Sequence, residues 1–392
     1  MKLLTFSTLF PNAERPQHGI FVQTRLRHLV ASGEVVARVV APVPWFPFSH
    51  PRFGNYAHFA KVPHQETLFG IDVSHPRYLL VPKIGMTVGP YLMAQAMKPV
   101  LSRIIDDGYD FDVIDAHYFY PDGVAAAMLG RYFNKPVVIT ARGSDITLIP
   151  HHQIPRKMIQ WAANQAAGVI TVCEALKAEI TTLGVKADRI VALRNGVDLN
   201  LFQPIDREAT RKVLGLNQFT LLSVGNLLPV KGHDLVIASL PLLKEARLMI
   251  AGRGPELQRL QALAADLGVT ERVTFLGPLP QAELRTYYGA ADALVLASSR
   301  EGWANVLLES MACGTPVVAS NVWGTPEVVA SPDAGVLMRD RTAAGVATAV
   351  RALQAGYPNR AATRRYAEQF SWDQTTAGQL KLFRNILRNG EI

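Results

Sequence analysis

Two carboxylates eight residues apart, Glu301 and Glu309, lie in the stretch Ser298–Ser320. An apolar run from Ala290 to Ala297 precedes it and reads as a strand buried in a parallel sheet. A short polar turn, a helical pattern ending at Gly314 and a second buried strand at Pro316 to Ala319 follow. Ligands of open α/β sheets bind just past the carboxyl ends of strands, where Glu301 falls. A helix beginning near Trp303, with Gly302, Ala304 and Asn305 around its start, turns its unsatisfied amides to the same place and favours an anion such as a phosphate. Lys231 sits in the turn Gly225-Asn226-Leu227-Leu228-Pro229-Val230-Lys231-Gly232 after another apolar run, where it can meet a phosphate as a point charge. The turn Gly252-Arg253-Gly254-Pro255 lacks the third glycine of a dinucleotide fingerprint but permits close backbone approach by a nucleotide. Taken singly, each is ordinary surface chemistry; three strand-end elements in one domain together describe a site for a phosphorylated ligand.

Other residues invite chemistry less strongly. Asp110-Phe111-Asp112 has the spacing of a metal-binding acid pair, but it precedes a strand, whereas a ligand pair belongs at the far end. Nine of the ten histidines lie in the first half without metal-ligand spacing, so no metal is expected. Arg142 and Asp145 fit the ion pair of a turn as well as they fit a ligand cleft. Cys173 and Cys313, far apart in apolar contexts, read as buried reduced thiols in a reducing compartment.

The elements that must position these groups alternate strand and helix. In the first half, strands are predicted at Lys2–Phe6, Val35–Val40, Val113–Ala116, Lys135–Thr140 and Gly168–Val172, with helices at Val88–Ile105, Gly123–Phe133 and Met158–Ala167. The second half repeats the style at Phe219–Val224, Arg247–Ala251, Val273–Leu276, Ala293–Ala297 and Pro316–Ala319. The expectation is a pair of mostly parallel, doubly wound α/β sheets, divided near 205/206 where Pro204 and Asp206 interrupt the pattern. Residues 41–75, rich in proline and aromatics, fit a hairpin insertion, an acceptor-binding surface or a membrane-contacting patch.

With 392 residues, 49% hydrophobic and 18% charged, the chain has the composition of a soluble globular protein of about two domains. Its net charge of +8 is spread along the chain, with no dense basic run of the kind that forms a nucleic-acid groove. Such a surplus suits a protein that handles phosphorylated small molecules or rests on an anionic membrane surface. Residues 360–392 hold six basic and three acidic residues and carry much of it. No segment approaches the ~18 apolar residues of a membrane span, and the short, polar-interrupted start reads as a strand and not a secretion signal.

The second half resembles the nucleotide-sugar domain of the family 4 glycosyltransferases, densely from Phe219 to about Val350. The resemblance rests on the two-glutamate element Glu301 to Glu309, the tract Met311-Ala312-Cys313-Gly314-Thr315-Pro316-Val317-Val318, Gly225 to Gly232, Gly252 to Pro255, Phe275-Leu276-Gly277 and Gly324-Thr325-Pro326-Glu327. The first half matches more sparsely, at Gly19, Asp115-Ala116-His117, Arg142-Gly143-Ser144-Asp145 and Asn195-Gly196-Val197-Asp198, and Phe370-Ser371-Trp372 matches the family's final helix.

The resemblance implies the GT-B fold: two Rossmann-like domains, here 1–205 and 206–370, facing a cleft, with 371–392 returning to the first as a C-terminal helix. It implies a retaining transferase moving a sugar from a UDP- or GDP-linked donor, with no further cofactor, to a glycan or polyprenyl-linked acceptor. The bacterial exopolysaccharide or teichuronic-acid type is expected, working in the cytoplasm or at the inner face of the membrane. Lys231 would bind the donor diphosphate, Glu301 the donor sugar's hydroxyls, Glu309 the ribose. His117 would approach the sugar from the first domain, and Gly19 would give the tight loop over the phosphates. Three positions depart from the family: Asn226 replaces an arginine, His18-Gly19 a pair of glycines, and Trp323 another glycine. Asn226 removes one positive charge from the leaving-group clamp, which Arg253, Arg142 or helix amides would have to supply.

Two rivals remain at this point. A non-hydrolysing nucleotide-sugar epimerase of the same fold would act on the donor without an acceptor. A basic nucleic-acid- or membrane-binding protein without activity would leave the phosphate-handling elements unexplained.

Overall fold

The computed structural model describes residues 1–81 and 85–389. The chain forms two compact units, Met1–Arg194 with Asp373–Ile392, and Asn195–Trp372. Each is built on a sheet whose central strands are buried on both faces, which is why those strands read as continuous apolar runs.

In the second unit six strands run in the order Val273–Gly277, Ala246–Ala251, Phe219–Val224, Ala293–Leu296, Val317–Ser320, Gly335–Met338, with every pairing parallel. By chain position this is the 3-2-1-4-5-6 order of a doubly wound dinucleotide-type fold. The order reverses between Phe219–Val224 and Ala293–Leu296, so the loops after those two strands flank the crevice where such sheets bind ligands. The last strand, Gly335–Met338, was not anticipated; its first three residues are only half-buried at the sheet edge, and it has no long apolar run.

The first unit repeats the scheme. Its eight-stranded sheet reads Ile190–Ala192, Gly168–Thr171, Val137–Ala141, Val113–His117, Lys2–Phe6, Val36–Val40, Ile71–Ser74, Gln65–Leu68. Only the edge strand Gln65–Leu68 is antiparallel, paired as a hairpin with Ile71–Ser74. Its two-residue turn places Phe69 at φ 53° and Gly70 at φ 75°, the left-handed pair that matches hairpin twist. A phenylalanine there gives no turn signal, so the sequence between 41 and 75 admits a hairpin without locating it. The switch point in this unit lies between Lys2–Phe6 and Val113–His117.

The final helix, Trp372–Asn389, packs on this first sheet: Leu380, Phe383 and Ile386 share one apolar cluster with Leu3, Val22, Leu26 and Val113. Of the segment 371–392 assigned to it, residues 390–392 lie outside the described residues. The division between units falls at 194/195, not 205/206. Asn195–Ile205 belong with the second unit because Val197 N–H donates to Phe370 O (2.9 Å) and the buried Phe202 packs edge-on to Tyr288 at 5.9 Å. Their polar sequence reads as a linker, but one aromatic anchor and a backbone bond seat them. Trp323, where a glycine is usual, sits at φ 48°, a left-handed backbone that explains the glycine and strains the tryptophan.

Candidate active site

In the second unit the strand-end turns interlock through glycines. A Cβ at Gly252 would lie 1.9 Å from Gly225 O, and one at Gly254 would lie 2.3 Å from Leu227 O. Gly252, at φ 154°, and the half-buried Gly254 therefore let two strand-end loops touch along their backbones, and Leu227 N–H donates to Arg253 O at 2.9 Å. Gly232, at φ 68°, turns the chain beneath Ala297 O, 2.1 Å from where its Cβ would stand, and Ser299 N–H donates to Val230 O at 2.8 Å. These contacts bring the Lys231 turn against the loop that carries Glu301.

The result is a pair: Lys231 Nζ donates to Glu301 Oε1 at 2.7 Å, with the side chains 25% and 10% exposed. Residues 70 apart in sequence thus meet at the carboxyl ends of the two switch-point strands. A cation and a carboxylate side by side can grip a phosphate and a hydroxylated group at adjacent positions. Next to Lys231, His233 is buried with its Nδ1 2.9 Å from Ser223 Oγ, and burial pushes its imidazole down to about 4. It is a neutral prop and adds no charge to the pair at neutral pH.

Glu309 occupies a different setting. It is 8% exposed; Tyr288 O–H donates to its Oε2 at 2.8 Å and Gln281 Nε2 donates to its Oε1 at 3.2 Å. Burial pushes its carboxyl up, and the two donors pull it back. Its helix, Asn305–Ala312, starts two residues later than the expected Trp303. Each oxygen keeps a lone pair for a hydroxyl donor such as a sugar ring supplies. Tyr288 and Gln281, on the helix Gln281–Ala290, were not among the sequence candidates, and no spacing relates them to Glu309.

The remaining candidates of this unit differ in accessibility. Asn226 and Arg253 are exposed and Gly302 is half-buried. Ala304 and Trp303 are buried, the Trp303 ring 6.1 Å from that of Phe370, so Trp303 is held as part of the wall. Asn305 Oδ1 accepts from Asn195 Nδ2 at 3.2 Å. Among the described residues the Arg253 side chain has no hydrogen bond or ion pair, which leaves its charge uncommitted beside the Asn226 turn.

In the first unit the loop after Lys2–Phe6 is fixed by Asp122, which accepts from Thr8 N–H at 2.7 Å and from Thr8 O–H. Gly19 caps the helix Ile20–Ala31 at φ 69°; a Cβ there would lie 2.2 Å from Leu9 O, so only glycine lets the loop close on itself. His18 Nε2 lies 3.2 Å from Thr8 O, and burial pushes this imidazole down to about 4. His117 ends the next strand, 1% exposed, with both ring nitrogens engaged: Nε2 is 3.2 Å from Asp115 Oδ2, and Nδ1 is 2.8 Å from Arg142 Nη2. Because the guanidinium can only donate, Nδ1 accepts and Nε2 carries the proton. Burial pushes the ring down to about 4, against the pull of Asp115.

Asp145 does not pair with the Arg142 guanidinium. It is fully buried and accepts backbone N–H groups of Phe119 (2.8 Å), Gly143 (2.7 Å) and Arg142 (3.1 Å). It is a loop pin, and Arg142 Nη2 bonds His117. Asp110 and Asp112 are likewise structural: the first pairs with Lys135 at 2.6 Å, the second accepts Lys2 N–H at 2.7 Å. Cys173 and Cys313 are buried and form no disulfide with each other, and burial pushes the Cys313 thiol up to about 12.

Comparison with known proteins agrees with this geometry. Residues 206–370 match the glycosyl transferases group 1 family and residues 19–201 match glycosyltransferase family 4. D-inositol 3-phosphate glycosyltransferase 1 of Catenulispora acidiphila is 32% identical over 311 residues, 72% of this chain and 74% of that protein. Among solved structures, sucrose-phosphate synthase from Thermosynechococcus elongatus aligns with a TM-score of 0.81 at 20% identity, over 99% of both chains. Anabaena HepE in complex with UDP-glucose aligns at 0.70 and 19% identity, over 97% of this chain and 99% of that one. Two Rossmann-like α/β units of this order are the GT-B fold, and the chain belongs to the family 4 glycosyltransferases.

Proposed function

We propose that this glycosyltransferase takes a UDP- or GDP-linked sugar and transfers it with retention of anomeric configuration. The observation that carries the reading is the Lys231–Glu301 pair at the switch point of the second sheet. Lys231 would meet the donor diphosphate, Glu301 the sugar hydroxyls, and Glu309, held by Tyr288 and Gln281, the ribose. In the step itself the anomeric C–O bond to the diphosphate breaks and the acceptor oxygen bonds the same carbon on the same face. A leaving phosphate oxygen takes the acceptor's proton. Glu301, already neutralised by Lys231, is a poor nucleophile, so the reading assigns it contact and not covalent catalysis. HepE's complex with UDP-glucose supports such a donor.

The acceptor we assign is a glycan or polyprenyl-linked intermediate of bacterial surface polysaccharide synthesis, with the chain at the cytoplasmic face of the membrane. No helix among the described residues is long and apolar enough to cross a membrane. Contact would be peripheral, through the surface of exposed Trp45, Phe48 and Tyr56, where the rings of Phe46, Phe48 and Phe53 lie 5.3–6.1 Å apart. Between Glu34 and Glu66 the sequence has no acidic residue but contains Arg38, Arg52 and Lys61, which suits an anionic surface. A phosphorylated polyol is the second acceptor reading, favoured by the name of the Catenulispora acidiphila relative.

One panel tests these assignments. Thermal shift against nucleotides and nucleotide sugars should single out one diphosphate donor, since a ligand that binds the folded state raises its melting temperature. Turnover of that donor is then measured with inositol phosphate, with a polyprenyl-linked glycan, and with donor alone. Transfer to either acceptor supports the reading and decides between them; epimerised donor without acceptor, or no response to any nucleotide, sinks it.

A further inference from the structure

The final helix, Trp372–Asn389, buries two polar side chains, Thr375 and Gln379, among its apolar contacts. Gln379 is fully buried beside Leu380 and Phe383. An amide in that position is costly unless both its ends are bonded. Both are. Its Oε1 accepts from Arg25 Nε at 2.8 Å, and its Nε2 donates to Asp115 Oδ2 at 3.1 Å. The amide thereby stands between a buried cation and a buried anion. The same Asp115 oxygen lies 3.2 Å from His117 Nε2, while Asp115 Oδ1 has no partner among the described residues. From His117 Nδ1 the chain continues to Arg142 at 2.8 Å. Three links join position 379 to a strand-end arginine.

We propose that Gln379 is a positioning residue for His117 and Arg142: its amide holds Asp115 towards His117, which fixes the imidazole as the Nε2–H tautomer and keeps Nδ1 as the acceptor that aims Arg142.

The chemistry is one-sided. A guanidinium has donors only, so Arg142 can bond the ring only while Nδ1 is unprotonated. Asp115 enforces that state only if its oxygen stays turned towards the ring, and a donor from Gln379 holds it there. The charged groups facing the ring are Asp115, Arg142 and Arg25. Asp145 faces Arg142 from the same turn and is bonded to backbone amides. Replacing the amide by a carboxylate keeps an acceptor for Arg25 but sets a second anion against Asp115. Beyond what Arg25 offsets, the added negative charge favours a proton, and His117, beside Asp115, is a group whose charged form it stabilises.

The kinetic arm of the test rests on the glycosyl-transfer reading; the spectroscopic arm does not. Ring 15N shifts of His117, assigned by loss of its signals in His117→Gln, should show a single neutral Nε2–H tautomer in the wild-type chain from about pH 5.5 upward, the ring being held near 4. In Gln379→Glu that ionisation should rise by about 1–2 pH units, and the pH profile of kcat should gain an acid limb while donor KM changes less than twofold. In Gln379→Met, which keeps the volume and loses both bonds, the ring should stay neutral but populate both tautomers. Unchanged His117 shifts in both folded variants overturn the proposal. If Gln379→Glu does not fold, an unchanged tautomer in Gln379→Met alone overturns it. Altered shifts without any transferase activity would retain the relay and remove only the reaction assigned to it.

Discussion

Glu301→Gln is expected to bind a nucleoside diphosphate more tightly than the wild-type chain while transferring sugar at least about 100-fold more slowly. Glu301 lies 2.7 Å from the Lys231 ammonium, so an arriving diphosphate must share that cation with a carboxylate that also repels it. Glutamine keeps the shape and removes the competitor, which should tighten UDP or GDP by roughly 3–10-fold at low salt, less at high salt. Transfer falls because the contact to the sugar at the reacting end is lost, and that contact is worth most in the transition state. Lys231→Ala moves both quantities the same way: diphosphate affinity drops, and kcat falls about 10²–10³-fold as the leaving group's growing charge loses its cation. Their effects on folding differ too. Glu301→Gln leaves a lysine that can extend into water, whereas Lys231→Ala strands a carboxylate only 10% exposed. Urea unfolding should therefore place Lys231→Ala about 1 kcal/mol below Glu301→Gln. Calorimetric titration with UDP and GDP decides the matter. If Glu301→Gln binds both more weakly, the two residues are not rivals for one cation and the assigned roles fail.

What the sequence disclosed of this site follows from which features are local. Strands buried on both faces appear as apolar runs, so Phe219–Val224 and Ala293–Leu296 are visible, and with them the turns that hold Lys231 and Glu301. That these turns meet is not local. It depends on strand order, and the 70-residue separation of the pair carries no periodic signal. Glycine was informative where a backbone had to pass, as at Gly252 against Gly225, because no other residue fits. The supports of the site were hidden for the opposite reason. Tyr288 and Gln281 behind Glu309, and Gln379 behind Asp115, are polar residues on helices that otherwise look amphipathic, and their partners lie 21, 28 and 264 residues away. His117 was singled out only through the family resemblance, and its burial and its double bonding belong to the fold. The hairpin at 65–74 escaped because Phe69 and Gly70 make its turn with only one customary residue.

Glu309→Gln should erase the chain's preference for a ribonucleotide over its 2′-deoxy counterpart, a preference expected to be about 10–100-fold in the wild-type protein from one charge-assisted hydrogen bond. The carboxylate accepts from Tyr288 at 2.8 Å and from Gln281 at 3.2 Å and has one lone pair left on each oxygen, so a vicinal diol can donate to both. A glutamine side chain keeps one acceptor only, and its NH₂ faces either Gln281 or the ribose as a second donor. Tyr288→Phe separates charge from orientation. Burial raises the Glu309 carboxyl, and the Tyr288 hydroxyl opposes that rise. Without the hydroxyl the group holds its proton to higher pH, so nucleotide affinity should fail at a higher pH in Tyr288→Phe than in the wild-type chain as the solution is acidified. Stability has the corresponding sign. A carboxyl raised above its unfolded value keeps its proton longer when folded, so its contribution is full below the unfolded value and is lost as pH rises through the raised one. Tyr288→Phe should widen that loss towards neutral pH, where ribose recognition needs the ionised form. Dissociation constants for the ribo and deoxyribo nucleotide, taken from pH 5 to 8, test both variants. Undiminished discrimination in Glu309→Gln would move the ribose elsewhere, and Tyr288 would then be a hydrogen bond of the core with no part in recognition.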